Sequence, residues 1–329
     1  MPFPAAINAD LARAEAHNLQ WARRYGLLVS DEAERRYRSW ALPVLTARTN
    51  PLAGADDLDL ALDMMTIMFL FDDQFDGPLG IDRPQASSLS TRLAALARPN
   101  PDPVEPTGVP LIDAWADLWI RCAHEMSITW QERAARNFRN YFLAHAQEVG
   151  ARAAGVEPNP LVYLGLRKDT VGMRPLQDLI ERVNGFELAP QVHDTAHLRE
   201  MRELAGLVVA LNNDISSLEK ESLRKETHNL VVILLREQGA SQEQAISRIV
   251  AMAKEHVERF LVLQDSLPTL CSELHLDEEQ QIHVHRFVVG MRHWMRGCYD
   301  WEAGSARYSA INQLPATGPG YVEDLVTPR

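Results

Sequence analysis

The 329-residue sequence is short of several features that would place it in other classes of protein. It has only three cysteines, Cys122, Cys271 and Cys298, which are far apart and form no CxxC pair. Because there is neither a disulfide framework nor a paired-cysteine metal motif, we expect buried, inert thiols. Such cysteine usage is typical of a protein in the reducing cytoplasm.

Long apolar runs and a basic excess are also missing. The longest apolar stretches, such as residues 204–211, are far too short to span a bilayer, and the N-terminus lacks the pattern of a secretory signal. The formal net charge is -12, whereas a binder of nucleic-acid phosphates would carry a basic face. We therefore expect a cytoplasmic protein that binds neither nucleic acid nor membrane. An anionic substrate stays possible because bound divalent cations reverse the local field.

Alternating strand patterns are absent, whereas helical periodicity is present nearly everywhere. Apolar residues in 55–76 recur at three- and four-residue spacing and then form a nearly continuous run, which is typical of a largely buried helix that Gly77-Pro78 stops. The pattern predicts an all-α protein of roughly ten or more helices, with a ligand site between them. Amphipathic helices are predicted over residues 129–153, 195–222, 240–267 and 277–303.

The Pro-rich stretch 99–110 is predicted to be a surface loop, because the helical pattern continues on both sides of it. We therefore expect one domain over residues 1–329, with a core at about 10–308. The tail 309–329 contains Pro315, Gly318 and Pro319 and is predicted to be flexible unless a ligand orders it.

An acidic cluster follows the buried run, in FLFDDQFDGP. Asp72 and Asp76 are four residues apart and share one face of a helix. Their carboxylates repel each other at the negative end of the helix dipole, an arrangement that a bound cation would relieve, and a solvated acidic helix end is the alternative. The earlier cluster of Asp56, Asp57 and Asp59 lies near the start of the helix, where carboxylates are stable without any ligand.

A second polar stripe lies in LNNDISSLEKES, where Asn213, Ser217 and Glu221 have the four-residue spacing of one helical face. Amide, hydroxyl and carboxylate oxygens suit a hard cation that keeps several waters, which favours magnesium over zinc. An exposed polar face is the alternative, and it loses weight once the first motif is considered as well.

Together these segments resemble class I terpene synthases. FDDQFD matches the aspartate-rich DDxxD motif of that family, and NDISSLEKE matches its second metal motif, NDxxSxxKE, about 140 residues later. Arg307-Tyr308 matches the family's RY pair, and Arg167 lies 46 residues before Asn213, where bacterial members place a diphosphate-sensing arginine. The resemblance covers residues 60–308 and implies a single-domain α-helical bundle around a central cavity. Prenyl-chain elongating enzymes share the fold but have a second aspartate-rich motif instead.

The resemblance implies magnesium-dependent cleavage of a prenyl diphosphate to a carbocation. In the family three magnesium ions take part, with manganese as a possible substitute. Carried over residue by residue, Asp72 would bind two ions, Asp76 would be a weaker ligand, and Asp73 would pair with an arginine. The third ion would be bound by Asn213, Ser217 and Glu221, and the diphosphate by Arg167, Lys220, Arg307 and Tyr308.

A helix break after the sensor arginine is the next feature that the resemblance implies. Gly172 would permit the break, which lets a backbone carbonyl near Val171 point at the substrate. Many family members have an acid where this chain has Thr170.

A carbocation has to be kept from water in an apolar cavity, and aromatic faces stabilise it. Phe69, Phe75 and Trp301 occupy positions that can line such a pocket, with Met68 as a further candidate. Each of these side chains could equally be ordinary core.

The leading hypothesis is a bacterial-type sesquiterpene cyclase that acts on farnesyl diphosphate, as a monomer or a homodimer. Geranyl or geranylgeranyl diphosphate are alternative substrates, because the sequence does not reveal the pocket volume. A non-catalytic helical isoprenoid-binding protein is the alternative from another class, and it predicts broken metal motifs.

Overall fold

The computed structural model describes residues 1–223, 227–308 and 323–329, and within these ranges it contains α-helices and no strand. Short 3-10 turns cover Pro78–Gly80 and Ala306–Tyr308. The helices are α1 (Leu11–Arg24), α2 (Asp31–Ser39), α3 (Leu42–Thr49), α4 (Ala55–Gln74), α5 (Arg83–Leu96), α6 (Pro110–Ala123), α7 (Ile128–Ala153), α8 (Pro160–Thr170), α9 (Met173–Val183), α10 (Pro190–His193), α11 (Ala196–Ser216), α12 (Leu218–Leu223), α13 (Leu230–Gln238), α14 (Gln242–Asp265), α15 (Leu267–Glu273) and α16 (Glu278–Glu302).

The predicted all-α fold is confirmed, and helices are present in all five segments predicted from periodicity, although the one predicted over residues 195–222 is divided at Ser217 into α11 and α12. The side chains of Ser241 and Gln244 form a reciprocal capping box at the start of α14, which fixes where this helix begins. The end of α4 differs from the prediction. The helix stops at Gln74, and Asp76 lies in the following turn, where its N–H donates to the carbonyl of Asp73 at 3.2 Å.

Helix α4 is the central helix and packs against α1, α3, α6 and α9. Its apolar residues are buried on nearly every side, so the polar groups among them need partners. Asp63, fully buried, accepts hydrogen bonds from Nη2 of Arg121 at 2.8 Å and from Nδ2 of Asn18 at 2.9 Å. The helix is thereby fixed inside the bundle.

The earlier acidic cluster, at the start of α4, forms ion pairs with neighbouring helices through Asp57 and Asp59. Arg13 of α1 pairs with Asp59 at 2.8 Å, and Arg182 of α9 pairs with Asp57 at 2.8 Å. These pairs connect the start of α4 to two other helices, as expected of carboxylates with a structural role.

Helices α11 and α16 pack against each other, and α11 also contacts α8, α9 and α14. The C-terminal ends of α4 and α11 open onto one cleft, because Asp72 and Asp76 line it together with Asn213 and Glu221. The packing thus brings two motifs that are distant in the sequence to one place.

The final seven residues do not fit the expectation of a flexible tail. Leu325 is fully buried, its carbonyl accepts from the N–H of Leu111 at 3.2 Å, and the N–H of Arg329 donates to the carbonyl of Gly108 at 2.9 Å. The apolar side chain and the paired backbone groups fix the end of the chain against the Pro-rich loop. The rest of the predicted tail, 309–322, lies outside the described residues.

The loop predicted over residues 99–110 contains no helix before Pro110. In the part of the chain that the structure describes, none of the helices combines the length and the apolar character needed to cross a membrane.

Candidate active site

An open cleft lies between the central helices, a place where helical proteins commonly form small-molecule sites. One part of its wall is apolar and is formed by Leu45, Met65, Met68, Leu176, Val209 and Trp294. A second, more polar cleft adjoins it and shares Asp72, Arg167, Asn213, Lys220 and Glu221. The site therefore combines an apolar pocket with a charged entrance.

The aspartates of the first motif differ in their exposure. The side chain of Asp72 is 51% exposed and opens onto the cleft, whereas that of Asp73 is 1% exposed. The surrounding protein still desolvates Asp72, but the imidazole of His145 and the charges of Arg307 and Lys220 outweigh this effect and lower its pKa below the ordinary value. Asp72 is thus held ionised, as a metal ligand must be.

Two cations from distant segments lie against the first motif. Nη2 of Arg307 is 2.8 Å from Oδ1 of Asp73 and 3.3 Å from Oδ2 of Asp72. Nζ of Lys220 is 2.6 Å from Oδ2 of Asp76 and 3.4 Å from Oδ1 of Asp73. Both cations were expected at the diphosphate, and both lie within reach of the metal motif.

The second motif forms one stripe although the helix is interrupted at Ser217. The N–H of Ser217 donates to the carbonyl of Asn213 at 2.8 Å, and the N–H of Glu221 donates to the carbonyl of Ser217 at 2.9 Å. Helical hydrogen bonds thus join the three residues across the α11–α12 junction, and all three side chains line the cleft.

Arg167 of α8 is held by the residue that follows Asn213. Its Nε donates to Oδ1 of Asp214 at 3.2 Å, and its Nη2 donates to Oδ1 of Asn213. Asp214 is buried and also accepts from the hydroxyl of Tyr163 at 2.8 Å and from the N–H of Leu230 at 3.0 Å. Arg167 and the second motif therefore form one hydrogen-bonded unit.

The acids of the second motif are electrostatically crowded. Burial and the charge of Asp214 raise the pKa of Glu221 to about 8. Burial raises the pKa of Glu302, the last residue of α16, to about 8 as well. A divalent cation bound by Asn213, Ser217 and Glu221 would relieve the burial penalty and the repulsion at Glu221, so these three residues fit a magnesium ion.

The first motif also fits a metal, because the exposed carboxylate of Asp72 and that of Asp76 both line the cleft, where an ion could reach them. Another acidic cluster fits one less well. Asp178, Glu181 and His193 come within 4.8 Å of one another, but Arg133 pairs with both acids, through Nε to Asp178 at 2.8 Å and through Nη2 to Glu181. The guanidinium already supplies the positive charge there.

Helix α8 ends at Thr170 and α9 begins at Met173, so the predicted break is present. Gly172 has φ +73°, a conformation that favours glycine. A Cβ there would lie 2.3 Å from Cε of Met68 and 3.2 Å from the ring of Tyr141. The backbone conformation therefore favours glycine, and an added Cβ would also displace the end of the Met68 side chain; Val171 beside it lines the cleft.

Two of the three predicted pocket aromatics line the apolar cleft, Phe69 and Trp301, whose ring centroids are 5.6 Å apart. Phe75 does not. It turns away behind the acidic motif, packs against Phe71 and His145, and borders only the polar cleft. The reason is helical spacing, because Phe75 keeps helical backbone angles and lies four residues after Phe71, so it shares the face of Phe71 and not that of Phe69.

Three functional candidates were not identified from the sequence. His145 of α7 is buried, with Nε2 3.4 Å from Oδ1 of Asp72 and Nδ1 2.9 Å from the carbonyl of Tyr141. Glu302 lies beside Asn213, and Asp214 anchors Arg167. Asp214 is part of the NDxxSxxKE pattern, and Glu302 directly follows Trp301, whereas no local signal marks His145.

Comparisons with known proteins agree with this geometry. Residues 63–259 match the family model described as terpene synthase family 2, C-terminal metal binding. The chain is 40% identical over 327 residues to a (-)-beta-caryophyllene synthase of Saccharothrix espanaensis described as (2E,6E)-farnesyl diphosphate cyclizing, covering 99% of this chain and 92% of that protein.

Solved structures of similar fold include α-eudesmol synthase, with a TM-score of 0.85, 34% identity, and coverage of 93% of this chain and 98% of that one. Another is a linalool/nerolidol synthase from Streptomyces clavuligerus in complex with 2-fluorogeranyl diphosphate, with a TM-score of 0.80, 29% identity, and coverage of 93% and 98%. The family model spans more than half of the chain, and the similarity to the caryophyllene synthase extends over nearly all of it. The chain therefore belongs to the terpene synthase family and carries its metal-binding domain.

Proposed function

We propose that this protein is a magnesium-dependent sesquiterpene cyclase, a carbon–oxygen lyase that ionises farnesyl diphosphate and cyclises the resulting carbocation to a hydrocarbon or an alcohol. The observation that carries the proposal is the cleft itself, where both metal motifs and four diphosphate-binding candidates border one apolar pocket. The farnesyl substrate is supported by the description of the Saccharothrix relative.

The oxygens of Asp72 and Asp76 on one side, and of Asn213, Ser217 and Glu221 on the other, would bind the magnesium ions. Three ions are proposed by analogy with the family, and manganese is proposed as a substitute because it accepts the same oxygen ligands. Bound magnesium neutralises the diphosphate and stabilises the charge that develops on it as the allylic carbon–oxygen bond breaks.

The cations of the entrance are proposed to change partners when substrate binds. Lys220 and Arg307 lie against the aspartates of the first motif, and Arg167 lies against Asp214. If the aspartates of the first motif held magnesium, Lys220 and Arg307 would turn toward the diphosphate oxygens, which an arginine can bind through two parallel hydrogen bonds. Tyr308, whose hydroxyl accepts from Nδ2 of Asn213 at 2.8 Å, would add a neutral donor.

Within the apolar pocket the chain would fold the isoprenoid and exclude water from the cation. Phe69 and Trp301 present aromatic faces that stabilise positive charge. The backbone at Val171, held by the left-handed conformation of Gly172, would direct a carbonyl oxygen at the ionising end of the substrate. Thr170 lines the cleft beside it and stands where many relatives have an acid.

The direct test is incubation of the purified protein with magnesium and, separately, with geranyl, farnesyl and geranylgeranyl diphosphate, followed by gas chromatography–mass spectrometry. We expect a cyclic C15 product from farnesyl diphosphate, and none in the presence of EDTA. A product from geranyl diphosphate alone would reassign the substrate, an outcome of interest because the Streptomyces clavuligerus neighbour holds a geranyl analogue.

A pair of aspartate variants on α4 makes this test specific to the site. Asp72→Asn removes a proposed metal ligand, whereas Asp56→Asn changes an exposed aspartate at the other end of the same helix. We expect product formation to be lost only in Asp72→Asn. Equal activity of the two variants, or no product from any prenyl diphosphate with folded wild-type protein, would overturn the proposal.

A further inference from the structure

Glu302 is a carboxylate inside the cleft that belongs to neither metal motif. It is the last residue of α16, and its Oε1 accepts from Nδ2 of Asn213 at 3.2 Å, while its Oε2 accepts from the hydroxyl of Ser216 at 3.4 Å. Among the described residues no basic side chain lies within 4.0 Å of it to form an ion pair. Among the described residues, its hydrogen-bond partners are thus Asn213 of the second motif and Ser216, which lies beside that motif on α11.

The contact between Glu302 and Asn213 matters because the side-chain amide of an asparagine presents an oxygen on one side and an NH2 group on the other. Only its oxygen can bind a hard cation, and its NH2 group is a donor that repels one. In Asn213 the NH2 group is directed to Oε1 of Glu302 and to the hydroxyl of Tyr308, at 3.2 and 2.8 Å. Its Oδ1 is left on the opposite side, toward Arg167 and the cleft.

A carboxylate is well suited to fix the orientation of the Asn213 amide. In its ionised form, which a magnesium ion bound nearby would favour, its two oxygens only accept hydrogen bonds. The carboxylate therefore favours the orientation with the NH2 group of Asn213 facing it and disfavours the flipped one, in which two oxygens would meet. Tyr308 cannot make the distinction, because a hydroxyl both donates and accepts.

The backbone of Glu302 is held firmly enough to serve this role. Nε1 of the adjacent Trp301 donates to the carbonyl of Trp40 at 2.8 Å, and the hydroxyl of Ser305 donates to the same carbonyl at 3.1 Å. The end of α16 is thereby attached to the segment that precedes α3, and a supporting residue on a rigid element positions its partner more accurately than one on a loop.

We propose that Glu302 is a positioning residue for the second metal site, which holds the amide of Asn213 with Oδ1 available to magnesium. The inference rests on the proposed function. Residues that orient metal ligands in this way typically contribute about 10- to 100-fold to metal affinity.

The test measures binding rather than turnover. The thermal unfolding midpoint of the wild type, Glu302→Gln and Glu302→Leu is followed while magnesium is titrated in the presence of inorganic diphosphate. Glu302→Leu removes the acceptor, so we expect its half-saturating magnesium concentration to rise by about 10- to 100-fold. Glu302→Gln keeps one acceptor oxygen, and we expect a smaller rise. Turnover of farnesyl diphosphate by Glu302→Leu should recover at high magnesium.

Asp300→Asn is the matched control, since Asp300 lies on the same helix but pairs with Arg296 and Arg48 outside the cleft. Its magnesium titration should match that of the wild type. If Glu302→Leu is unfolded in the absence of ligand, Glu302→Ser takes its place in the test, because serine also removes the carboxylate and is smaller than leucine.

The possible failures are distinguishable. A wild-type protein that magnesium and diphosphate do not stabilise would overturn the proposed function. A wild-type protein that responds, with a Glu302→Leu titration equal to it, would overturn only the role of Glu302.

Discussion

At the residue scale, the entrance of the cleft is a set of opposite charges held in contact before any ligand binds. Lys220 and Arg307 lie on the first metal motif, and Arg167 lies on Asp214 beside the second. The cations are therefore held at the entrance by the same acids that the metal motifs supply, so the proposed binding of diphosphate would require an exchange of partners within the cleft.

Arg307 shows why a guanidinium is required in this arrangement. Its Cζ lies 4.6 Å from the ring centroid of Trp40 and 4.7 Å from that of Phe69, while Nη2 donates to Asp73. A planar group fits between two rings and still presents donors at its edge, whereas an ammonium group does not. We expect Arg307→Lys to lower kcat/KM for farnesyl diphosphate by about 100-fold, the effect of losing one preorganised donor.

Arg259→Lys is the control for this substitution, because Arg259 is exposed and pairs with Glu200 on the surface. The steady-state rates of both variants should be compared at saturating magnesium. Equal kcat/KM values for the two variants would contradict a specific role for the Arg307 guanidinium.

At the element scale, the break between α8 and α9 brings together a special backbone conformation and tight packing. Gly172→Ala would place a non-glycine residue at φ +73° and press a methyl group against Met68 and Tyr141. We expect a loss of about 1–3 kcal/mol in the free energy of unfolding for the backbone conformation alone. We also expect a lower kcat, because the displaced backbone changes where the Val171 carbonyl points.

Gly185→Ala separates these two effects, because Gly185 lies just after the other end of α9 at φ +64° with nothing within 4 Å of an added Cβ. Urea unfolding should show a stability loss in both variants, and kcat should fall only in Gly172→Ala. A normal kcat in Gly172→Ala would show that the break tolerates a side chain.

The helices and the motifs were predictable from the sequence because both depend on local spacing. The apolar period identified α4, and the four-residue spacing identified the stripe from Asn213 to Glu221. The contacts that orient those residues were not predictable. His145 meets Asp72 and Glu302 meets Asn213 only after helices distant in the sequence have packed, and no local pattern records which helix faces which.

Element ends were the other source of error. Asp76 was placed on a helical face, but α4 ends at Gln74 and Asp76 lies in the turn before Gly77-Pro78. Phe75 keeps helical backbone angles, but its spacing places it on the face of Phe71. Asp76 still reaches the cleft from the turn, whereas Phe75 is directed behind the motif.

At the scale of the whole molecule, the last residues of the chain close part of the structure near the first metal motif. Leu325 is fully buried, and its N–H lies 3.4 Å from Oε1 of Gln74, the residue between Asp73 and Phe75. We expect Leu325→Ala to lower the free energy of unfolding by about 2–5 kcal/mol, the usual cost of truncating a buried leucine.

Val326→Ala is the control, because its side chain is only partly buried and the substitution also removes apolar carbon atoms. Chemical denaturation should show a clearly larger loss for Leu325→Ala. A loss in the free energy of unfolding for Leu325→Ala as small as that for Val326→Ala would mean that the terminal segment contributes little to the folded state.

The stability of the molecule should also depend on pH through His193, which is buried next to α11. Burial and the charges of Arg133 and Arg202 lower the pKa of the imidazole from 6.5 to about 4, although a hydrogen bond with Asp194 acts in the other direction. The unfolded chain therefore binds a proton between these values that the folded chain does not. The stabilisation is fully present above pH 6.5 and is lost as the pH falls toward 4, by about 3 kcal/mol in total. His193→Asn removes the titrating group and keeps a donor for Asp194. Urea unfolding of both proteins from pH 7.5 to 4.5 should show a smaller loss in the free energy of unfolding for the variant, because only the wild type has to protonate this imidazole on unfolding. Parallel curves of the free energy of unfolding against pH would assign the acid sensitivity to other groups.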